Sequence, residues 1–350
     1  MTYCDLYLDD LRRVSECMPG VDKLRGATIL ITGATGMIGS AVADLLLLLN
    51  SERGYDMNLY LAGRSEKRMR ERFYACGSDE YTFVRYDATE PQALAGHYNY
   101  IIHAASNADP KSISEQPLET MMSNIVGTIH LLTHLKEQGD GRMVFVSSSE
   151  VYGTKDGDEP YGEEDYGRVD ILNPRAAYPT AKRAAETLCV SAIVEHAVDA
   201  VIVRPGHVYG PTMTATDSRA SSQFTRDVLA GESVTMTSEG LQLRSYCYCL
   251  DCATAILTVM LHGTKGSAYN ISNPNSVVTI RQMAEALARA GCSHVTFRQP
   301  TAKERGSYNL MTNSSLRAER LMTLGWRPLF DMDEGARHTI AILSATTSNN

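Results

Sequence analysis

The 350 residues carry 33 Lys and Arg against 41 Asp and Glu, a formal net charge of −8, with 43% hydrophobic and 21% charged residues. This is a globular composition with enough apolar surface for a large core, fitting one large α/β domain plus a smaller one. The acidic balance excludes a general nucleic-acid or membrane-surface binder, which needs a basic excess, although a few local arginines can still hold a small anion.

Residues 1–25 predict a short helical extension with Leu6, Leu8 and Leu11 as anchors. From residue 27 strand and helix alternate. Strands are expected at 27–32, 58–62, 81–86, 98–103, 142–146 and 200–203, and helices at 38–50, 66–73, 119–137 and 175–196. Such alternation implies a doubly wound parallel sheet, Rossmann-like, in the α/β class. After Arg204 the regularity breaks down. Helices are expected near 221–230, at 279–290 and near 333–343, before a polar, fraying tail at 344–350.

The cysteines Cys4, Cys17, Cys76, Cys189, Cys247, Cys249, Cys252 and Cys292 are mostly scattered, and residues 1–10 contain no cationic leader region. The longest apolar run, 45–49, is far too short to span a bilayer. Reduced thiols and a cytoplasmic protein, away from membranes, are the expectation. Cys247 and Cys249 are expected on one face of a strand, with Cys252 in a following helix, as buried thiols rather than metal ligands. His130 and His134 have the four-residue spacing of a metal pair, but no glutamate follows His130, so they read as helix-surface or interface residues. No metal is expected.

Thr32-Gly33-Ala34-Thr35-Gly36-Met37-Ile38-Gly39 follows the first strand and opens the first long helix. Gly33 permits the tight turn, Gly36 lets backbone approach a pyrophosphate, and Gly39 lets helix and strand pack closely. The helix N-terminus adds free N–H groups and a partial positive charge. In this strand-before, helix-after context the motif points to a nicotinamide dinucleotide. An acidic residue after the second strand would select NAD, but the chain has Ala62-Gly63-Arg64 there. Arg64 could instead meet a 2′-phosphate or stack on adenine, which leaves NADP open beside NAD, or be a solvated surface arginine. Asp87, after the third strand, is placed to accept hydrogen bonds from the adenine amino group. The expected organisation is an extension (1–25), a dinucleotide-binding domain (26–204, rejoined by 245–268) and a smaller substrate-binding lobe (205–244 and 269–343) across a cleft.

Tyr178 and Lys182 are four apart on a helix and share one face. A tyrosine of pKa ~10 is a poor base at neutral pH, but a neighbouring ammonium and a cationic nicotinamide favour its phenolate. Tyr178 could then take a hydroxyl proton while hydride leaves the same carbon. The fifth strand ends in Ser147-Ser148-Ser149-Glu150-Val151-Tyr152-Gly153, at the sheet edge that faces a ligand crevice. A serine there can hydrogen-bond the reacting oxygen. Glu150 is the carboxylate placed to act in the site, or else a capping residue.

With these residues, His103-Ala104-Ala105-Ser106, Arg204 to Pro211 and Arg244 to Asp251, the chain resembles the extended short-chain dehydrogenases/reductases that act on nucleotide sugars, over about residues 25–330. Within that group it is most similar to the UDP-glucuronate decarboxylases. The resemblance implies NAD held by Gly33, Thr35, Gly36, Met37, Ile38, Gly39, Ala104 and Ala105, with Tyr178 and Lys182. It implies Ser148 as the catalytic hydroxyl, Glu150 as the family glutamate, and Arg219 and Arg244 at the nucleotide diphosphate. Ser149, Arg175 and His207 fall on the substrate side. It also implies a homodimer through the helices 119–137 and 175–196. Three positions depart from the pattern: Arg64 for Asp, Thr212 for Arg, and His207 for Asn.

Enzymes of this kind can all begin by oxidising the sugar at carbon 4. A 4-keto uronic acid is a β-keto acid and loses carbon dioxide readily. A 4,6-dehydratase needs an Asp–Glu pair, and Ser149 stands where that Asp would be, too weak an acid for a leaving hydroxyl. The expectation is a UDP-glucuronate decarboxylase that recycles its cofactor internally, with a 4,6-dehydratase or a 4-epimerase as alternatives. A non-catalytic sensor of dinucleotides or nucleotide sugars is the different-class alternative, and the intact Ser148, Tyr178 and Lys182 argue against it.

Overall fold

Thr28–Thr32 is an apolar, β-branched run, buried on both faces after its first residue. It forms β1, in the interior of a parallel sheet. The computed structural model describes residues 4–77, 79–90, 93–301 and 311–347. In chain order, α1 (Asp5–Glu16), β1, α2 (Met37–Arg53), β2 (Asn58–Gly63), α3 (Glu66–Arg72), β3 (Thr82–Arg85) and β4 (Tyr100–His103) come first. Then follow α4 (Pro110–Glu115), α5 (Pro117–Gln138), β5 (Arg142–Val146), α6 (Ala177–His196), β6 (Asp199–Pro205), β7 (His207–Tyr209), α7 (Ala220–Leu229) and β8 (Val234–Met236). The last part holds β9 (Leu243–Tyr248), α8 (Cys249–His262), β10 (Ala268–Ile271), β11 (Val277–Thr279), α9 (Ile280–Ala290), β12 (Val295–Phe297), β13 (Asn313–Ser314), α10 (Glu319–Met322) and α11 (Met332–Thr347).

Among the described residues, seven strands form one sheet in the order β10-β6-β5-β4-β1-β2-β3, with all neighbours parallel. The doubly wound α/β sheet is therefore present, and its winding reverses between β1 and β4, where ligands of such sheets bind. The six predicted strands lie within two residues of their observed ends. One face of the sheet packs against α5 and α6 through Leu131, Leu135, Ala185 and Cys189. The other packs against α2 and α8. A smaller sheet has β9 between β11 and β13, with β7 also paired to β9. No helix among the described residues is long and apolar enough to cross a membrane.

Three local expectations change. Cys249 opens α8 rather than sharing a strand face with Cys247, because β9 ends at Tyr248; both thiols and Cys252 are buried and free. The last helix runs on to Thr347, so 344–347 are helical, while 348–350 lie outside the described residues. In α1, Leu11 is buried but Leu6 and Leu8 are only half-buried. Tyr7 and Val14 anchor the helix with Leu11, and the Tyr7 hydroxyl donates to buried Asp44 at 2.7 Å.

A buried ion pair ties α6 to the sheet. Glu186 of α6 binds the Arg204 guanidinium of β6 at 3.0 and 2.6 Å and accepts from Ser147 Oγ at 2.5 Å. Arg204 also donates to the Tyr152 hydroxyl (3.0 Å) and to Glu163 O (2.9 Å). Glu186→Ala leaves this guanidinium buried without its anion, so a loss of about 3–5 kcal/mol in urea unfolding is expected.

Candidate active site

The glycine loop is shaped by contact between backbones. Gly33 has φ +69°, and a Cβ there would lie 2.7 Å from Ala104 O. A Cβ on Gly39 would overlap Gly33 O. Gly36 differs: a Cβ would meet only Gly33 O, at 3.2 Å, and otherwise open space. Gly33 and Gly39 thus let the loop close, while Gly36 faces room. The helix α2 begins just after it with no side-chain cap, leaving N–H groups for an anion.

This loop borders a cleft of about 350 Å³. Gly33, Thr35, Gly36, Met37, Ile38, Gly39, Arg64, Asp87, Ala104 and Ala105 all line it. Thr32 Oγ1 bonds His103 Nδ1 at 2.8 Å and accepts from Ala105 N at 3.3 Å, which locks the ends of β1 and β4 together beneath it. Asp87 accepts from the N–H and hydroxyl of Thr89 (3.0 and 2.8 Å), and these bonds hold its carboxyl below the ordinary range against the effect of burial.

A second cavity, of about 1100 Å³, is lined by Glu150, Arg175, His207, Arg219 and Arg244 among others. Arg219 lines both spaces. Tyr178, Ser148 and Lys182 line neither space; Tyr178 is buried, and Glu150, Ser148, Arg219 and Arg175 act on its phenol electrostatically. Ser149 is buried and lines neither space.

The charge balance differs from expectation. Burial first, then Glu150, pushes the Tyr178 phenol up to about 12, against the pull of Ser148, Arg219 and Arg175. The Lys182 ammonium does not lower it as expected, because Lys182 is itself buried and brought down to about 7. Its Nζ donates to Val146 O at 2.7 Å and lies 5.8 Å from the Tyr178 ring centre. Glu150 does not cap: its carboxylate takes Arg175 Nη2 at 2.8 Å.

His207 is half-buried, and its buried Nδ1 has no partner among the described residues. Burial, then Arg244 and Arg219, bring its pKa down to about 3, so it acts as a neutral hydrogen-bonding ring. Arg244 donates to Leu243 O (2.9 Å) and Met311 O (2.8 Å), and Arg219 pairs with Asp217. Thr212 donates to Met37 O at 2.9 Å, tying the segment after β7 to the start of α2. His130 and His134 are half-buried on α5. Among the described residues no group of three His, Cys, Asp or Glu could hold a metal.

Residues 29–272 match the family described as the NAD dependent epimerase/dehydratase family. The chain belongs to that family. Similar proteins include UDP-glucuronic acid decarboxylase 1 of Danio rerio, 30% identical over 318 residues that cover 90% of this chain and 72% of the relative. UDP-glucuronic acid decarboxylase 6 of Arabidopsis thaliana is 32% identical over 259 residues, 74% and 73% of the two chains. Among solved structures, the UDP-glucose 4-epimerase of Thermotoga maritima has a TM-score of 0.76 at 22% identity, covering 91% of this chain and 99% of its own. The family's cofactor is NAD. The open position at Gly36 and the uncapped start of α2 fit its pyrophosphate.

Four lining residues carried no motif strong enough to be singled out. Ser106 lines the first cleft with its hydroxyl buried and without a partner among the described residues, and its signal is its place at the end of the His103–Ser106 segment. Arg68 lines it too, four residues after Arg64. Arg226 and Gln242 line the second cavity from segments without a recognisable pattern.

Gly36→Ala should bind dinucleotide at least about tenfold more weakly at a smaller cost in stability than Gly39→Ala, since its methyl group meets only Gly33 O, at 3.2 Å, and otherwise faces open space. Gly39→Ala should cost about 1–3 kcal/mol of stability through the overlap with Gly33 O. Thermal unfolding with and without NAD separates the two.

Proposed function

We propose that the chain is a UDP-glucuronate decarboxylase, converting the uronate to a UDP-pentose with loss of carbon dioxide. The observation that carries this reading is the Glu150–Arg175 pair, at 2.8 Å on the wall of the larger cavity and acting with Ser148 on the Tyr178 phenol, with a buried serine, Ser149, where a dehydratase needs its second acid. The relatives named UDP-glucuronic acid decarboxylase support it.

In this reading the smaller cleft holds the dinucleotide through Gly33, Thr35, Gly36, Met37, Ile38, Gly39, Ala104 and Ala105, with Arg64 and Asp87 toward the adenosine. The dinucleotide supplies an acceptor for hydride from sugar carbon 4 and a donor for its return. Tyr178 takes the carbon-4 hydroxyl proton, with Ser148 bonding the same oxygen. Lys182, held on Val146 O, faces the phenol from one helical turn away and contributes charge when protonated. The resulting 4-keto acid breaks its bond between carbons 5 and 6, carbon dioxide leaves, and the electron pair remains as an enolate until carbon 5 takes a proton. Tyr178 gives its proton back to the carbon-4 oxygen as the ketone is reduced.

The larger cavity takes the sugar nucleotide. Arg219 and Arg244 supply positive charge for the diphosphate, and neutral His207 adds a hydrogen bond. Arg175 neutralises Glu150, so two carboxylates can occupy one site once the uronate arrives. The β1–β6 region with α8 and β10 serves the dinucleotide; much of the remaining chain after β6 serves the sugar nucleotide. A homodimer through α5 and α6 is part of this reading, supported by the exposed Leu118, Met122, Ile129, Val190 and Val194. Eight free thiols support a reducing, cytoplasmic setting.

The purified protein should turn UDP-glucuronate into equimolar carbon dioxide and UDP-pentose, measured by trapped gas and chromatography. Release of water without carbon dioxide would identify a dehydratase, a 4-epimer product an epimerase, and binding without turnover a sensor. Tyr178→Phe should lower kcat about 10²–10⁴-fold. Because the phenol of the chain alone is raised, its base form is the minor one at neutral pH, so kcat/KM should increase as pH rises above neutrality.

A further inference from the structure

We propose that the N-terminal helix α1 positions the wall of the larger cavity from a distance. Asp10 and Arg13 anchor a row of packed rings that ends on that wall at Tyr246 and His207, which makes Asp10 a positioning residue for the ligand held there. This rests on the reading of that cavity as the sugar-nucleotide site.

The row begins on β7 and β9. These strands pair with His207 opposite Tyr246 and Tyr209 opposite Tyr248. Alternation along each strand puts all four rings on one face of the pair. Ring centres lie 5.7 Å apart for His207 and Tyr246, 6.2 Å for Tyr246 and Tyr209, and 5.9 Å for Tyr209 and Tyr248. The row continues from Tyr248 to Phe330 at 4.6 Å, and from Phe330 to His338 of α11 at 5.7 Å. These are the separations of rings in direct contact. His207 and Tyr246 line the larger cavity, while Tyr209, Tyr248 and Phe330 are buried and line neither space.

Helix α1 closes the far end of the row. The buried Asp10 carboxylate accepts from the Tyr248 hydroxyl at 3.1 Å, and His338 Nδ1 lies 2.9 Å from each of its oxygens. Arg13 holds its guanidinium 4.6 Å from the centre of the Phe330 ring, pairs with Glu334 and donates to Leu329 O. Through Tyr7 and Asp44 the same helix is fixed to α2. The row has little slack. A Cβ on Gly335 of α11 would lie 2.2 Å from the Tyr209 hydroxyl, so backbone already stands against that ring. Asp251 accepts from Leu329 N and Phe330 N, and Asn273 donates to Phe330 O, which fixes the backbone at Phe330. Removing Asp10 takes a buried acceptor from Tyr248 and His338, and the Tyr248 ring must turn to find another. A close-packed interior passes such a shift on, through Tyr209 and Tyr246 to the cavity wall.

The test is calorimetric titration of the full chain with UDP and, separately, with NAD. Asp10→Ala should weaken UDP about threefold or more and NAD by less than about twofold. Leu135→Ala opens a cavity in the core on the other face of the large sheet, so it should lower the melting temperature and leave UDP binding unchanged. In a His207→Ala background, Asp10→Ala should cost UDP less than about twofold further, because the end of the row is already gone. Arg13 is half-exposed, so Arg13→Gln folds and should weaken UDP about twofold; it decides the matter if Asp10→Ala does not fold. Unchanged UDP affinity in the folded α1 variants would overturn the proposal. So would equal losses of UDP and NAD, the same loss in Leu135→Ala, or full additivity with His207→Ala. Failure of the wild-type chain to bind UDP would overturn the reading of the cavity itself, and this proposal with it.

Discussion

The buried pair of Glu186 and Arg204 holds α6, the helix of Tyr178 and Lys182, in place. Glu186 sits on α6, two turns beyond Tyr178, and gathers Arg204 from β6 and Ser147 from the end of β5. The next residue, Ser148, thus follows an anchored strand end on the same side as the helix of Tyr178. Arg204 extends the network through Tyr152 to Asn270 of β10, where the chain returns to the large sheet. Two charges in a dry interior gain little net stability, but breaking one leaves the other exposed to the full desolvation cost. That all-or-none character makes the pair a good register pin for a site that needs hydroxyls in contact.

Around this frame the site balances charge against burial. Tyr178 and Lys182 are both driven toward their neutral forms. Glu150 would oppose a phenolate, and Arg175 bonded to it offsets that opposition. Arg219 adds a cation on the border of the two cavities. A bound dinucleotide with a cationic nicotinamide would add the charge that favours the phenolate, so the base is weak until the site is filled. Arg219 and Arg244 on the wall of the larger cavity offer local positive charge to an anionic ligand in a chain that is acidic overall.

Much of this was legible in the sequence where the requirement is local. The glycine loop is a demand on backbone, set by Gly33 and Gly39, and it is written in seven consecutive residues. Strands β1 to β6 are long enough for their apolar runs to stand out. The strands after Arg204 are mostly short, and β9 takes β7, β11 and β13 as partners from distant parts of the chain, so no periodicity within one segment reveals them. Strand β10 was missed for the same reason. Lys182 was identified by its spacing from Tyr178, but its loss of charge follows from tertiary burial. The partner of Glu150 lies 25 residues away, and Arg244 donates to a carbonyl 67 residues away. Such contacts follow from the fold and not from spacing.

The central claim is that hydride leaves carbon 4 and returns to it while carbon 6 departs. Turnover in heavy water of UDP-glucuronate labelled with deuterium at carbon 4 tests this directly, with the product read by NMR. The account predicts a pentose that keeps its label at carbon 4 and gains one solvent deuterium at carbon 5. Loss of the carbon-4 label to solvent, or decarboxylation without solvent deuterium at carbon 5, would contradict it.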